Sequence, residues 1–158
     1  MSLNHTMTDM VENAANEIGL LGGTFDPIHI GHIAIAEAVR DRYSLRSVYL
    51  VPAHTNPLRL DHRIVASPDD RLIMATLAAR DAPWLIVDPV EIERGIASGE
   101  PSYTIDTITC FRDRFPDAPL TLIVGADNVA FHMWRCAEEF AGLLRRIAVV
   151  SRPDYLEK

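Results

Sequence analysis

The run Gly22-Gly23-Thr24-Phe25-Asp26-Pro27-Ile28-His29-Ile30-Gly31-His32 holds the residue types from which an anion site is built. Glycines at 22 and 23 let the backbone turn tightly and let a ligand approach where a Cβ would stand in the way. A helix opening near Gly31 turns its unpaired N–H groups and positive dipole end toward the same loop, an arrangement suited to phosphate. His29 and His32, one helical turn apart, can converge on that anion. Two blander readings use the same letters. A Gly-Gly turn beside a histidine is often plain structure, and paired histidines can ligate zinc, although no third and fourth ligand stands out. The run is neither GxGxxG nor GxxxxGK[ST], which argues against a dinucleotide fingerprint and against a P-loop kinase or GTPase.

Other residues could join such chemistry. Arg59, in Asn56-Pro57-Leu58-Arg59, is by itself an ordinary solvated arginine or a phosphate contact. Arg71 sits near a helix start, where a cation opposes the dipole unless an anion is close; a ligand or a salt bridge with Asp69 or Asp70 would supply one. Ser102-Tyr103-Thr104 opens a helix with the donors a carboxylate needs, or simply caps it. Gly125-Ala126-Asp127 follows an apolar strand, where ligands approach a parallel sheet. Trp134 reads locally as core or interface, and Arg152 follows the last strand.

The elements that must position these residues alternate in type. Strands are predicted at Ile18–Leu21, Ser47–Val51, Leu85–Val87, Leu120–Val124 and Arg146–Val150. Leu120–Val124 is apolar at nearly every position, as in a strand buried on both faces. Helices are predicted from about Gly31 to Arg42, with Ile33, Ala36 and Val39 on one side, and from Pro68 to about Arg80, with Met74 in the core. A third runs from Ser102, with Ile105, Ile108, Phe111 and Phe115 on one face, until Pro116 closes it. A fourth spans roughly 128–144. Residues 53–68 read as a long polar loop, and Glu93–Pro101, with two glycines and a proline, reads as an irregular excursion. Strands joined by crossover-length helices imply an α/β fold, a parallel sheet with helices on both faces. The right-handed crossover gathers strand ends and helix starts on one edge. Strand order is not readable.

With 158 residues, 48% of them hydrophobic, the chain suits one domain over 17–158 behind a leader at 1–16. Fifteen basic against 22 acidic residues give a net charge of −7, which offers no broad attraction to nucleic acid or an anionic membrane. No apolar run reaches spanning length and no secretion signal opens the chain. Cys110 and Cys136 form no CxxC pair and read as reduced thiols, so a cytoplasmic location is expected.

Gly22 to His32 resembles the GxFxPxHxGH signature of the nucleotidyltransferase superfamily, whose Rossmann-like members transfer an adenylyl or cytidylyl group. Further segments resemble bacterial nicotinate-nucleotide adenylyltransferase, in the same order: Asn56–Arg59, Ser67–Met74, Pro101–Thr107, Gly125–Asp127, Trp134 and Ser151-Arg152-Pro153. The resemblance implies adenylyl transfer from ATP to nicotinate mononucleotide in NAD biosynthesis, with Mg²⁺ bound mainly through the ATP phosphates and no protein metal site. It assigns His29, His32 and Arg59 to catalysis by charge stabilisation. It assigns Gly22, Gly23, Thr24, Phe25, Arg71, Ser102, Tyr103, Thr104, Gly125, Asp127, Trp134 and Arg152 to substrate binding, with Tyr103-Thr104 reading the pyridine carboxylate and Trp134 stacking on the ring.

Two departures stand out. Leu58 replaces the family's usual histidine, and the closing I-S-S/A-T-x-I-R motif has no counterpart before Lys158. The resemblance thus covers about residues 18–153, and the expectation is a chain truncated or divergent at its C-terminal end, with weak activity alone and an exposed apolar surface. Nicotinamide-mononucleotide adenylyltransferase is the nearest enzyme alternative, and a non-catalytic nucleotide-binding protein on the same fold is the alternative of another class. Pantetheine-phosphate adenylyltransferase should lack Ser102-Tyr103-Thr104 and Trp134. Homo-oligomerisation is left open.

Overall fold

In the computed structural model the described residues are 16–55, 64–126, 139 and 142–151. Arg59, Asp127, Trp134, Cys136, Arg152 and the helix expected over 128–144 lie outside them, save residues 139 and 142–144. The chain runs β1 (Ile18–Gly23), α1 (Ile30–Tyr43), β2 (Ser47–Pro52), α2 (Pro68–Ala79), β3 (Leu85–Val87), α3 (Val90–Ser98), α4 (Thr104–Arg114), β4 (Leu120–Gly125) and β5 (Arg146–Val150).

All five strands are parallel, in the order β3-β2-β1-β4-β5. The chain therefore builds outward from β1 through β2 to β3, then returns to add β4 and β5 on β1's other side. Connections leave β1 and β4 in opposite directions and open a crevice between their C-terminal ends, the place where open α/β sheets bind ligands.

Alternation along the strands supplies two cores, because successive side chains point to opposite faces. Leu21, Val48, Leu50, Leu85, Ile123 and Ala148 pack with Ala36 and Val39 of α1 and Ala79 of α2. Ile18, Leu20, Tyr49, Val51, Leu120, Leu122 and Val124 pack with Ile108 and Phe111 of α4. The expected faces of α1 and α4 are thus the buried ones, while Met74 is only half-buried. Tyr49 meets Phe111 edge-on at 5.0 Å, and Arg114 lies 4.9 Å over the Phe111 ring.

The edge of the sheet opposite the crevice is held by charge. Glu17, 1% exposed, accepts from the Thr121 hydroxyl, and its other oxygen lies 3.5 Å from both Arg145 and Arg146. A buried carboxylate is tolerable only with such partners.

Glu93–Pro101 is not the irregular excursion expected: residues 93–98 continue α3, and only Gly99–Pro101 leave regular structure. The glycines have positional reasons. Gly99 ends the helix in the left-handed conformation, φ 73°. Gly95 faces His54, and a Cβ there would lie 2.2 Å from His54 Cγ. Asp88 caps the start of α3 by accepting from Val90 N–H at 3.1 Å and binds Arg114 of α4 at 2.7 Å. Between these helices lies Glu91. It accepts from the Thr107 hydroxyl at 2.5 Å, with Ser102 also in hydrogen-bond reach, while Arg94 donates to Thr107 at 3.3 Å.

Two outcomes are expected. Alanine is normally about 1 kcal/mol better than glycine inside a helix, but overpacking costs about 1–3 kcal/mol, and at position 95 the clash falls on the root of a side chain. Gly95→Ala should lower the urea midpoint; a raised midpoint would mean that His54 is not seated there. Burial lifts the Glu91 carboxyl above its ordinary 4.5, against the pull of Thr107 and Ser102. The stability tied to its proton is whole below about pH 4.5 and drains as pH rises through the higher folded value. Glu91→Gln should flatten that decline in urea titrations from mildly acidic to neutral pH; an unchanged pH slope would contradict it.

Candidate active site at the β1–β4 crevice

β1 ends in Gly22-Gly23 at the switch point. Gly23 is needed by the loop itself, since a Cβ would lie 2.8 Å from the Phe25 ring, which is buried beneath the turn with φ 51°. Gly22 is exposed, and among the described residues nothing lies where its Cβ would be. The Asp26–Pro27 peptide is cis, and the loop enters α1 at Ile30.

The two histidines cap that helix reciprocally. His29 is the N-cap residue, and its Nδ1 accepts from Gly31 N–H at 3.2 Å; His32 Nδ1 accepts from His29 N–H at 3.2 Å. Imidazoles here take the part that Ser and Glu play in a common capping box. The rings stack with centroids 3.8 Å apart, and Phe25 meets His32 edge-on at 5.0 Å. A backbone N–H can only donate, so each Nδ1 serves as the acceptor and the N–H of the ring falls to Nε2. Both rings stand beside the positive end of a 14-residue helix.

Arg71 and Ser102, expected to touch substrate, have other partners. Arg71 is 0% exposed. Its Nη1 donates to Thr24 O and Ala53 O, both at 2.6 Å, and its Nη2 to His54 O at 3.1 Å. Those carbonyls, not Asp69 or Asp70, answer the cation at the start of α2; Asp70 instead joins Ser67 in capping that helix. Burial draws the Arg71 guanidinium below the usual arginine range, while the charge of Asp26 pushes back. Asp26 in turn accepts from Val65 N–H at 2.6 Å and Ala66 N–H at 3.0 Å, bonds that hold its carboxyl below the usual range. Ser102 Oγ accepts from His54 N–H at 3.1 Å, and Ser102 N–H donates to Thr55 O at 2.9 Å.

Ser102 thereby fastens the start of α4 to the loop after β2, on the same sheet edge as the histidines. Tyr103 is the extended N-cap residue of α4 and its side chain makes no cap bond; Thr104 is the first helical residue. Capping by the N-cap side chain does not explain Ser102-Tyr103-Thr104, and a helix N-terminus of this kind suits an anionic group. Gly125 closes β4 beside β1, half-buried, and Thr24 follows β1 on the same edge of the sheet. Sequence reasoning misses Asp26, His54 and Glu91. Asp26 lies inside the signature but looks like a turn residue, and nothing local marks the other two.

The cytidylyltransferase-like family model matches residues 20–158. A protein of Aeromonas salmonicida (strain A449) named "Probable nicotinate-nucleotide adenylyltransferase" is 39% identical over 145 residues, covering 89% of this chain and 65% of that one. A protein of Corynebacterium kroppenstedtii bearing the same name is 42% identical over 143 residues, covering 89% and 65%. This chain spans just under two thirds of the length of those relatives. Among solved structures, Plasmodium falciparum nicotinic acid mononucleotide adenylyltransferase complexed with NaAD superposes with a TM-score of 0.66 at 15% identity, over 87% of this chain and 76% of that one, a likeness of fold. The chain belongs to the cytidylyltransferase-like family, and its relatives there carry the name nicotinate-nucleotide adenylyltransferase.

Proposed function

We propose that this chain carries the catalytic crevice of an enzyme that transfers the adenylyl group of ATP to nicotinate mononucleotide, releasing pyrophosphate and forming the dinucleotide precursor of NAD. The observation that carries this reading is the reciprocal capping of α1 by His29 and His32 beside a switch-point crevice. The names of relatives near 40% identity support the choice of acceptor.

The acceptor's 5′-phosphate oxygen attacks the α-phosphorus of ATP in line. One P–O bond forms, the bond from the α-phosphorus to the bridging oxygen breaks, and the electron pair leaves with pyrophosphate. The substrate brings its own nucleophile, so the protein's part is alignment and stabilisation of spreading negative charge. Nε2–H of His29 and of His32 donate to triphosphate oxygens, with the N-terminus of α1 behind them. Among the described residues the space at Gly22 is open, which would let phosphate or ribose lie close to the strand end. Backbone donors at Tyr103-Thr104 suit the pyridine carboxylate. Arg59, Asp127, Trp134 and Arg152 keep the phosphate, ribose-side and ring-stacking roles that the family resemblance implies.

Mg²⁺ belongs to the proposal as an ion carried on the phosphates. Asp26, the carboxylate in the signature loop, is committed to two backbone N–H groups, and the described residues contain no cluster of three metal-ligating side chains. When bound, the ion would neutralise phosphate charge. A cytoplasmic setting is part of the reading; among the described residues Cys110 is a free thiol, and no helix is long and apolar enough to cross a membrane.

Pyrophosphate release from ATP and Mg²⁺ should occur with nicotinate mononucleotide and fall sharply with nicotinamide mononucleotide, assayed on this chain and on the full product of its gene. Release with neither acceptor from the full product would overturn the proposal. His29→Asn separates cap from catalysis, because asparagine is itself a favoured N-cap. It should leave the melting temperature nearly unchanged and lower kcat by about 10²–10³, the usual cost of one lost charge-stabilising donor. Retained activity would assign His29 to the helix alone.

A further inference from the structure

We propose that Arg71, fully buried, and Asp26, half-buried on the loop after β1, form a two-residue clamp that sets the spacing of the site's loops, acting as positioning residues that never touch substrate. This rests on the adenylyl-transfer reading for its consequence, but its structural half stands without it.

Three stretches of backbone meet at this pair. Arg71 binds the carbonyl of Thr24, after β1, and those of Ala53 and His54, after β2. Asp26, also on the β1 loop, binds the amides of Val65 and Ala66, which lead into α2 and back to Arg71 itself. The ring of contacts closes through the backbone, since Thr24 and Asp26 share the β1 loop and Val65 and Ala66 lead into the helix that carries Arg71, and the opposite charges of the two side chains favour it. Both members make charge-assisted hydrogen bonds to backbone, and for the fully buried Arg71 an unmatched charge would be costly. The guanidinium is fully buried and its Nη groups are taken up by carbonyls. Among the described residues, Arg71 Nε and the Thr24 hydroxyl oxygen are buried with no hydrogen-bond partner. A residue serving only to pack would do as well as a hydrocarbon, since a buried cation adds no stability over a well-packed apolar side chain. What the cation adds is direction. Three carbonyls from two loops must point at one planar fork, which fixes those loops relative to each other to within the tolerance of a hydrogen bond. His29 and His32 come directly after the β1 loop, and Ser102 with the start of α4 hangs from His54 and Thr55. The clamp therefore sets the distance between the phosphate end and the carboxylate-reading end of the crevice.

The test uses Arg71→Lys, which keeps the charge but cannot reach three carbonyls, and Asp26→Asn, a half-buried loop position where folding is less at risk. Arg80→Lys, at an exposed arginine paired with Asp81, is the control. Two readouts are taken. In amide hydrogen exchange, Arg71→Lys should speed exchange at Val65 and Ala66 by about tenfold or more although Arg71 does not bind them, with the amides of β1 and β4 unchanged. In turnover, kcat counted per ATP-binding site should fall about tenfold or more in both variants, with ATP affinity held within about threefold, because misalignment costs the reaction more than binding. Full turnover per ATP-binding site, or exchange at Val65 and Ala66 that responds only to Asp26→Asn, would overturn the clamp. If the wild-type chain and the full gene product transfer nothing to either mononucleotide, the functional reading falls, and exchange alone decides the clamp.

Discussion

Helix α1 begins with backbone N–H groups that need acceptors, and two of them are met by imidazole nitrogens. That choice determines how the rest of the site can work. Serine or aspartate would have capped the helix equally well, yet would have placed a lone pair or a negative charge at its mouth. Histidine accepts with Nδ1 and keeps a donor at Nε2 on the opposite side of the ring. A single residue thus satisfies the helix and still carries a donor nitrogen. In the proposed reaction two such rings, stacked, add donors to a helix N-terminus.

Around that feature the fold keeps charge where partners exist. At the edge opposite the crevice, Glu17 is buried among Thr121, Arg145 and Arg146, tying β1 to β4 and β5. Near the crevice, Arg71 is buried among carbonyls, joining the loops after β1 and β2 to the start of α2, and Glu91 is buried among hydroxyls, joining α3 to the start of α4. Apolar packing is non-directional, whereas these buried polar contacts demand particular directions and so fix the loops that carry them.

Much of this is legible in the sequence where the signal is local. The strands announce themselves by apolar runs, α1 and α4 by the spacing of Ala36/Val39 and Ile105/Ile108/Phe111, and the signature loop by its glycines and histidines. Two kinds of feature stay hidden. α3 is concealed because Gly95 and Gly99 look like breakers, and the reason for Gly95 is a histidine 41 positions earlier in the chain, pressed against the helix. Strand order and the use of Arg71 are concealed because they are settled by distant partners: its carbonyls belong to residues 47, 18 and 17 positions away. A buried arginine and a solvated one look alike in sequence. The resemblance to a family supplies a ligand-binding role for Arg71 and Ser102 that their contacts do not express.

The state of the two imidazoles when nucleotide arrives decides most directly whether the helix caps double as phosphate donors. Nitrogen NMR of the ¹⁵N-histidine-labelled chain, titrated with ATP and Mg²⁺, reads each ring nitrogen separately. The expected result is a downfield shift of both Nε2–H protons as they bond to phosphate, while both Nδ1 nitrogens keep the signature of unprotonated acceptors. Saturating nucleotide that leaves His29 and His32 unmoved, or a proton found on Nδ1 of either ring, would contradict it.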